Sequence, residues 1–311
     1  MSVVNKNASA MDSALTINWR SYYELCKPKV VYLIVFTAFV GMLLASPGAL
    51  PPLDILIAGN LGIGLAAASG AALNHMIDQR IDALMQRTEN RPLPSGKLGT
   101  MHVLTFALTL AAVAMLILTT MVNHLTALLT FIALIGYAVI YTVFLKRSTP
   151  QNIVLGGAAG AAPPLLGWAA VTGEVGTEAL LLFLIIFVWT PPHFWALAIR
   201  RREEYAKAGI PMLPVTHGVP FTKAQILLYT LLLFSVSLMP VVINMSGLIY
   251  LSGALSLGIG FLYYAWRLYK DDSDELAMKT FGYSIFYLSL LFGFLLADHY
   301  VRELLRTFLL S

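Results

Sequence analysis

Cysteine occurs once, at Cys26, and a lone thiol cannot close an internal disulfide. Charge is scarce as well. Only 12% of residues are Asp, Glu, Lys or Arg against 58% hydrophobic, and the mean hydropathy is +0.76. A soluble domain carries roughly a quarter of its residues charged, so that class is excluded. Residues 1–29 are mostly polar and lack a convincing small-residue cleavage site after an apolar core, so no secretory signal is expected to be removed.

What the chain has instead is apolar sequence, in runs long enough to cross a hydrocarbon layer of about 30 Å. These fall at 30–46, 54–74, 101–121, 126–144, 153–172, 179–199, 224–243, 248–267 and 280–298. Lipid offers backbone groups no hydrogen-bond partner, so each run must satisfy its own as a helix. The expected fold is all-α, a polytopic membrane bundle of about nine transmembrane helices. A mobile cytoplasmic tail is expected over residues 1–20, a single membrane domain over 21–300 and a short C-terminal tail over 301–311.

Nine crossings divide the loops into two sets, and Lys and Arg fall almost wholly in one. All but Arg302 and Arg306 of the 20 lie in the N-terminal segment and the loops around Arg80–Lys97, Lys146–Arg147, Arg200–Lys223 and Arg267–Lys279. The positive-inside rule makes that side cytoplasmic and puts the C-terminus on the periplasmic side of a bacterial inner membrane. The pI of about 9.1 then reflects topology and contact with anionic lipid headgroups, with no nucleic-acid partner. Cys26, at the cytoplasmic edge, is expected to be a reduced thiol. Tyr22, Tyr23, Lys27 and Lys29, at the mouth of the first run, read first as interfacial anchors.

The chemistry concentrates where the second run ends. Asn74, Asp78 and Asp82 are spaced four apart, so at 3.6 residues per turn each step drifts only about 40° and all three share one helix face. Two carboxylates and an amide suit Mg2+, which takes oxygen ligands and commonly completes its shell with substrate phosphate. A solvated helix end would have the same spacing. The second run is rich in Gly, Ala and Ser, however, which marks an interior helix, and a buried carboxylate there requires a cation. Arg87 and Arg91 follow, with Arg able to grip phosphate bidentately. Tyr141, Lys146 and Arg147 reach the same membrane face further along, where both phosphate contact and interfacial anchoring fit them.

Two further stretches stand out. Gly156 to Trp168 holds four glycines and the pair Pro163-Pro164; it must kink or break, and its small residues are expected to leave room for a bulky ligand. After the sixth run, Pro191-Pro192-His193 leads to Arg200–Pro214. His193 lies deep enough to be a functional candidate or a satisfied structural histidine. The triple arginine reads as a topology determinant. The acids Asp271, Asp272, Asp274 and Glu275 read as a solvated loop.

At Asn74-x-x-x-Asp78-x-x-x-Asp82 the chain resembles the UbiA superfamily of intramembrane prenyltransferases, and the likeness extends over about residues 20–300. More narrowly, Asn74 to Pro92, Gly156 to Trp168, Pro192-His193 and Glu204 to Pro214 look like the branch of that superfamily that farnesylates protohaem IX. The superfamily's second Asp-x-x-x-Asp motif reads Arg200-x-x-x-Glu204 here, which leaves Glu204 as the acidic ligand candidate on that side. The resemblance implies a UbiA-like fold, Mg2+ held by Asn74, Asp78 and Asp82, and diphosphate bound by Arg87, Arg91, Lys146 and Arg147. His193 would lie on the acceptor side. Farnesyl diphosphate and haem b would be the substrates, haem b being consumed and not retained as a cofactor, and haem O the product. Haem A synthase or terminal-oxidase assembly factors would be natural partners. Prenylation of an aromatic quinone precursor shares the donor half, and a transporter shares the broken helix, although an odd span count and one-sided acids and arginines speak against transport.

Overall fold

A computed structural model describes residues 19–271 and 273–310; most of the expected N-terminal tail, together with Asp272 and Ser311, lies outside the described residues. Among those residues there is no strand. The chain forms α1 (Trp19–Leu25), α2 (Pro28–Leu44), α3 (Leu53–Ile77), α4 (Thr100–Ile117), α5 (His124–Ile135), α6 (Asn152–Ala161), α7 (Pro163–Thr172), α8 (Thr177–Arg200), α9 (Gly218–Val242), α10 (Leu248–Lys270) and α11 (Glu275–Leu310). Among the described residues eight helical spans are long and apolar enough to cross a membrane, and the pair α1 and α2, bent by 53°, brings the number to nine when taken as one span. This is the expected architecture of a multi-pass membrane bundle.

Three local departures from a regular helix shape the interior. Between α1 and α2, Lys27 adopts φ 50°, a left-handed conformation that costs a non-glycine residue about 1 kcal/mol or more, and Pro28 then opens α2 at its first turn. α5 continues into a π-helical stretch, Gly136–Leu145, before the short Lys146–Ser148 turn. The fifth span is broken at Ala162 into α6 and α7. Pro163 and Pro164 have no N–H to give the carbonyls of Ala159 and Gly160, which is why the ladder stops there. α8 by contrast runs unbroken through Pro191 and Pro192.

Small residues let α2 and α7 cross closely. A Cβ on Gly41 would lie 2.1 Å from the Pro164 carbonyl oxygen, and one on Gly167 would lie 2.0 Å from that of Ala38. α2 and α7 therefore meet backbone to backbone, the close approach that small residues permit in membrane bundles. At the end of the bundle that carries the acidic motif, the loop after α3 packs Met85 into a core with Tyr205, Ile210 and Met212 of the loop after α8. The acidic loop is tied down rather than freely solvated: Asp274 pairs with Arg202, and the Lys223 ammonium donates to the carbonyls of Asp271 and Ser273 at 2.7 and 3.1 Å. The arginine triplet is partly structural for the same reason, since Arg201 pairs with Glu204 at 3.4 Å.

Candidate active site

The helical ladder carries on past the end of α3, with the Asp78 N–H donating to the Asn74 carbonyl at 2.9 Å and the Asp82 N–H to the Asp78 carbonyl at 2.8 Å. Asn74, Asp78 and Asp82 therefore stay on one face, and all three are buried. Each is answered by a cation from a different part of the chain. Lys27 donates to Asn74 Oδ1 at 2.5 Å, Lys146 to Asp78 Oδ2 at 2.5 Å and Arg91 to Asp82 Oδ2 at 2.7 Å. Asn74 Nδ2 in turn donates to Asp78 Oδ2 at 2.9 Å and to Thr142 Oγ1 at 3.2 Å. Arg147 reaches the Ile77 carbonyl at 3.5 Å.

The π-helical stretch explains how α5 contributes. An α-helix turns about 100° per residue, which would put Tyr137 and Lys146 on opposite sides. An i→i+5 helix turns roughly 82° per residue, and nine residues then return to nearly the same face. Thr142 Oγ1 donates to the Tyr137 carbonyl, five residues back, at 2.8 Å, and the Tyr137 and Tyr141 rings stack at 5.7 Å. Tyr137, Tyr141, Thr142 and Lys146 thus line one side of the centre.

Lys27, Arg87, Arg91, Lys146 and Arg147 surround only two carboxylates, so the centre carries excess positive charge suited to a multiply charged anion. Among the described residues Asp78 Oδ1 and both ring nitrogens of His75 lack any partner there, as does Glu204 Oε2 on the loop after α8. Buried polar atoms are rarely left so, and the carboxylate oxygens are the hard donors that Mg2+ takes. Among the described residues no three His, Cys, Asp or Glu side chains stand close enough to hold a metal ion between them, so Glu204 does not join Asp78 and Asp82 in a ready-made cluster. Outside the spans, burial raises the Tyr205 phenol above its ordinary pKa, so it stays a proton donor beside this centre.

Beneath the charges lies an apolar cavity of about 160 Å³ that runs from Lys27, Val30 and Tyr137 to Ile63, Thr130 and Leu166. Ala66, Gly70 and Ala71 of α3 and Ala159, Gly160 and Pro163 of the broken span line its sides. Of the span's glycines, Gly160 alone has no atom within 4 Å of a would-be Cβ. The space at Gly156 is taken by the Tyr141 ring, that at Gly157 by Thr190 and that at Gly167 by α2. Most of the small residues therefore serve packing, and only the Ala159–Pro163 portion leaves room for a ligand.

His193 is not among the residues lining that cavity. It projects from α8 toward α11, its ring stacked between Trp189 at 4.1 Å and Phe281 at 4.5 Å. Lys27, set aside in the sequence as an anchor, stands inside the centre, whereas Lys29 is exposed. His75 and Thr142 carried no signal in the sequence beyond their neighbourhood to known motif residues.

The sequence pattern of the UbiA prenyltransferase family matches residues 34–291. The chain belongs to the UbiA prenyltransferase family. A relative from Thioalkalivibrio sulfidiphilus, named protoheme IX farnesyltransferase, is 69% identical over 93% of this chain and 95% of its own length. Among solved structures, digeranylgeranylglyceryl phosphate synthase covers 90% of this chain and 98% of its own at 20% identity with a TM-score of 0.77. A UbiA homolog from Archaeoglobus fulgidus bound to DMAPP and Mg2+ covers 90% and 99% at 16% identity with a TM-score of 0.65. These structures share the UbiA fold with this chain.

Proposed function

We propose that this chain transfers the farnesyl group of farnesyl diphosphate to a vinyl group of haem b, with addition of water, to give haem O and diphosphate. The observation that carries the donor half is the junction of a cation-rich polar centre with an apolar cavity. The diphosphate fits the first and the hydrocarbon tail the second. The acceptor rests on the protoheme IX farnesyltransferase relative, 69% identical over nearly the whole chain.

Asn74, Asp78 and Asp82 would hold Mg2+, with Glu204, on the loop after α8, the further acidic candidate. Bound there, Mg2+ supplies charge stabilisation for the departing diphosphate. Lys27, Arg87, Arg91, Lys146 and Arg147 take the phosphate oxygens. Lys146 and Arg91 neutralise Asp78 and Asp82 in the free protein, so phosphate binding exchanges one set of ion pairs for another and leaves no charge stranded. The allylic carbon–oxygen bond breaks as the diphosphate leaves. The haem vinyl carbon bonds to the farnesyl carbon, and water captures the resulting cation next to the macrocycle and loses a proton. Tyr137, Tyr141 and the cavity wall keep bulk water from the allylic cation before the vinyl group reaches it. His193 faces the acceptor.

The protein would sit in the bacterial inner membrane with the charged centre and N-terminus cytoplasmic and the C-terminus periplasmic, near haem A synthase or oxidase assembly factors that take the product. The experiment is direct: the purified protein in lipid nanodiscs, given haem b, farnesyl diphosphate and Mg2+, should yield haem O by chromatography. Prenylation of a hydroxybenzoate with haem b ignored would overturn the acceptor assignment.

A further inference from the structure

His193 lies 91 residues in sequence from the serine that holds it. Its Nδ1 is 2.7 Å from the Ser284 Oγ, on α11. The same Oγ donates to the Phe281 carbonyl, one turn back, at 2.6 Å. A hydroxyl has one proton and a carbonyl has none. If the Ser284 proton pointed at His193, two bare oxygens would face each other at 2.6 Å. The proton therefore belongs to the Phe281 contact, Ser284 accepts from His193, and Nδ1 carries the imidazole hydrogen. That leaves Nε2 with a free lone pair. Among the described residues no group hydrogen-bonds Nε2, and the atom is not sealed from solvent as both nitrogens of His75 are.

The ring can neither swing nor turn over freely. Trp189 and Phe281 clamp its two faces with interplanar angles of 17° and 25°. The clamp is itself anchored, because the Trp189 indole N–H donates to the Ser284 backbone carbonyl at 2.8 Å. One fully buried serine thus sets the tautomer through its side chain and the stacking partner through its backbone. Imidazoles that bind metal are commonly oriented this way, their second nitrogen donating to a fixed acceptor.

Resting on the haem reading above, we propose that Ser284 is a positioning residue that fixes His193 as an Nε2 lone-pair donor to the iron of the haem acceptor. The Nδ1–H···Oγ bond raises the basicity of Nε2 and aims it, so the vinyl edge is presented in one orientation to the farnesyl carbon.

The test uses the full chain in nanodiscs titrated with haem b, comparing wild type with Ser284→Ala, Ser284→Thr and His193→Ala. Ser284→Ala keeps the backbone carbonyl that holds Trp189, so the clamp survives while the tautomer control is lost. We expect haem affinity to fall about 10- to 100-fold, and the iron–imidazole stretching band of ferrous haem to move to lower frequency. Mg2+-dependent farnesyl diphosphate binding should be unchanged, and Ser284→Thr should restore both haem readouts. If Ser284→Ala matches wild type in affinity and band while His193→Ala loses the band, Ser284 is idle and the proposal is wrong although iron ligation stands. If His193→Ala also leaves affinity and spectrum unaltered, the ligation on which the proposal rests has failed, and the proposal fails with it.

Discussion

Removing Lys146 should destabilise the free protein through Asp78, and a second substitution should give part of that stability back. In the structure Asp78 is only 1% exposed at its side chain and Lys146 14%, with the ammonium 2.5 Å from Oδ2. Lys146→Met leaves Asp78 with the Asn74 amide as its remaining partner on Oδ2 and none on Oδ1. Stripping one member from a buried ion pair costs about 3–5 kcal/mol. At about 2 °C per kcal/mol for a chain this long, the apparent Tm should fall by roughly 5 °C or more. Asp78→Asn alone should cost less, near 1 kcal/mol, because the Lys146 stem can carry its ammonium toward the membrane edge. In Lys146→Met with Asp78→Asn no charge is left unpaired, so the double variant should be more stable than Lys146→Met alone, with a coupling of about 2 kcal/mol. Mg2+ should stabilise Lys146→Met more than it stabilises the wild type, since Asp78 then lacks its internal cation. Thermal unfolding of the four proteins in one detergent, with and without Mg2+, measures all of this. A Lys146→Met protein as stable as wild type, or a double variant equal to the sum of the singles, would refute the claim that this pair neutralises the site.

Four other outcomes are expected. Asp78→Asn and Asp82→Asn should each abolish haem O formation while leaving a folded membrane protein by size-exclusion chromatography, and excess chelator should do the same to wild type; full turnover in any of these would remove the metal–diphosphate reading. Gly160→Leu should fold, because its Cβ points into open cavity, yet weaken binding of farnesyl diphosphate more than that of the five-carbon dimethylallyl diphosphate, as competition binding can show. Gly167→Ala should instead fail to accumulate in the membrane, because a Cβ there meets the Ala38 carbonyl at 2.0 Å. Reporter fusions after Gly96 and after Ser311 should report the cytoplasm and the periplasm respectively, and the reverse pattern would invert the orientation drawn from the basic loops.

Much of the molecule was legible without coordinates, and for identifiable reasons. Lipid forces backbone bonds to be local, so apolar runs translate directly into spans. The Asn74-Asp78-Asp82 face followed from helical period alone, and the break near Pro163 from a missing N–H. What the sequence could not reveal depends on departures from that period or on partners far apart in the chain. A reader assuming 100° per residue puts Lys146 opposite Tyr137, and the π-helical Gly136–Leu145 stretch reverses that. Lys27 looked like one interfacial lysine among two until the left-handed turn before Pro28 carried it to Asn74, 47 residues away. Four glycines looked like room for a ligand, and three of those spaces are filled by Tyr141, Thr190 and α2. His193 announced a candidate but not its chemistry, because the partner of its Nδ1 is Ser284, 91 residues away on another helix. Local hydrogen bonding determined the helices; side-chain proton and charge partners, drawn from segments tens of residues apart, were decided only when those helices packed.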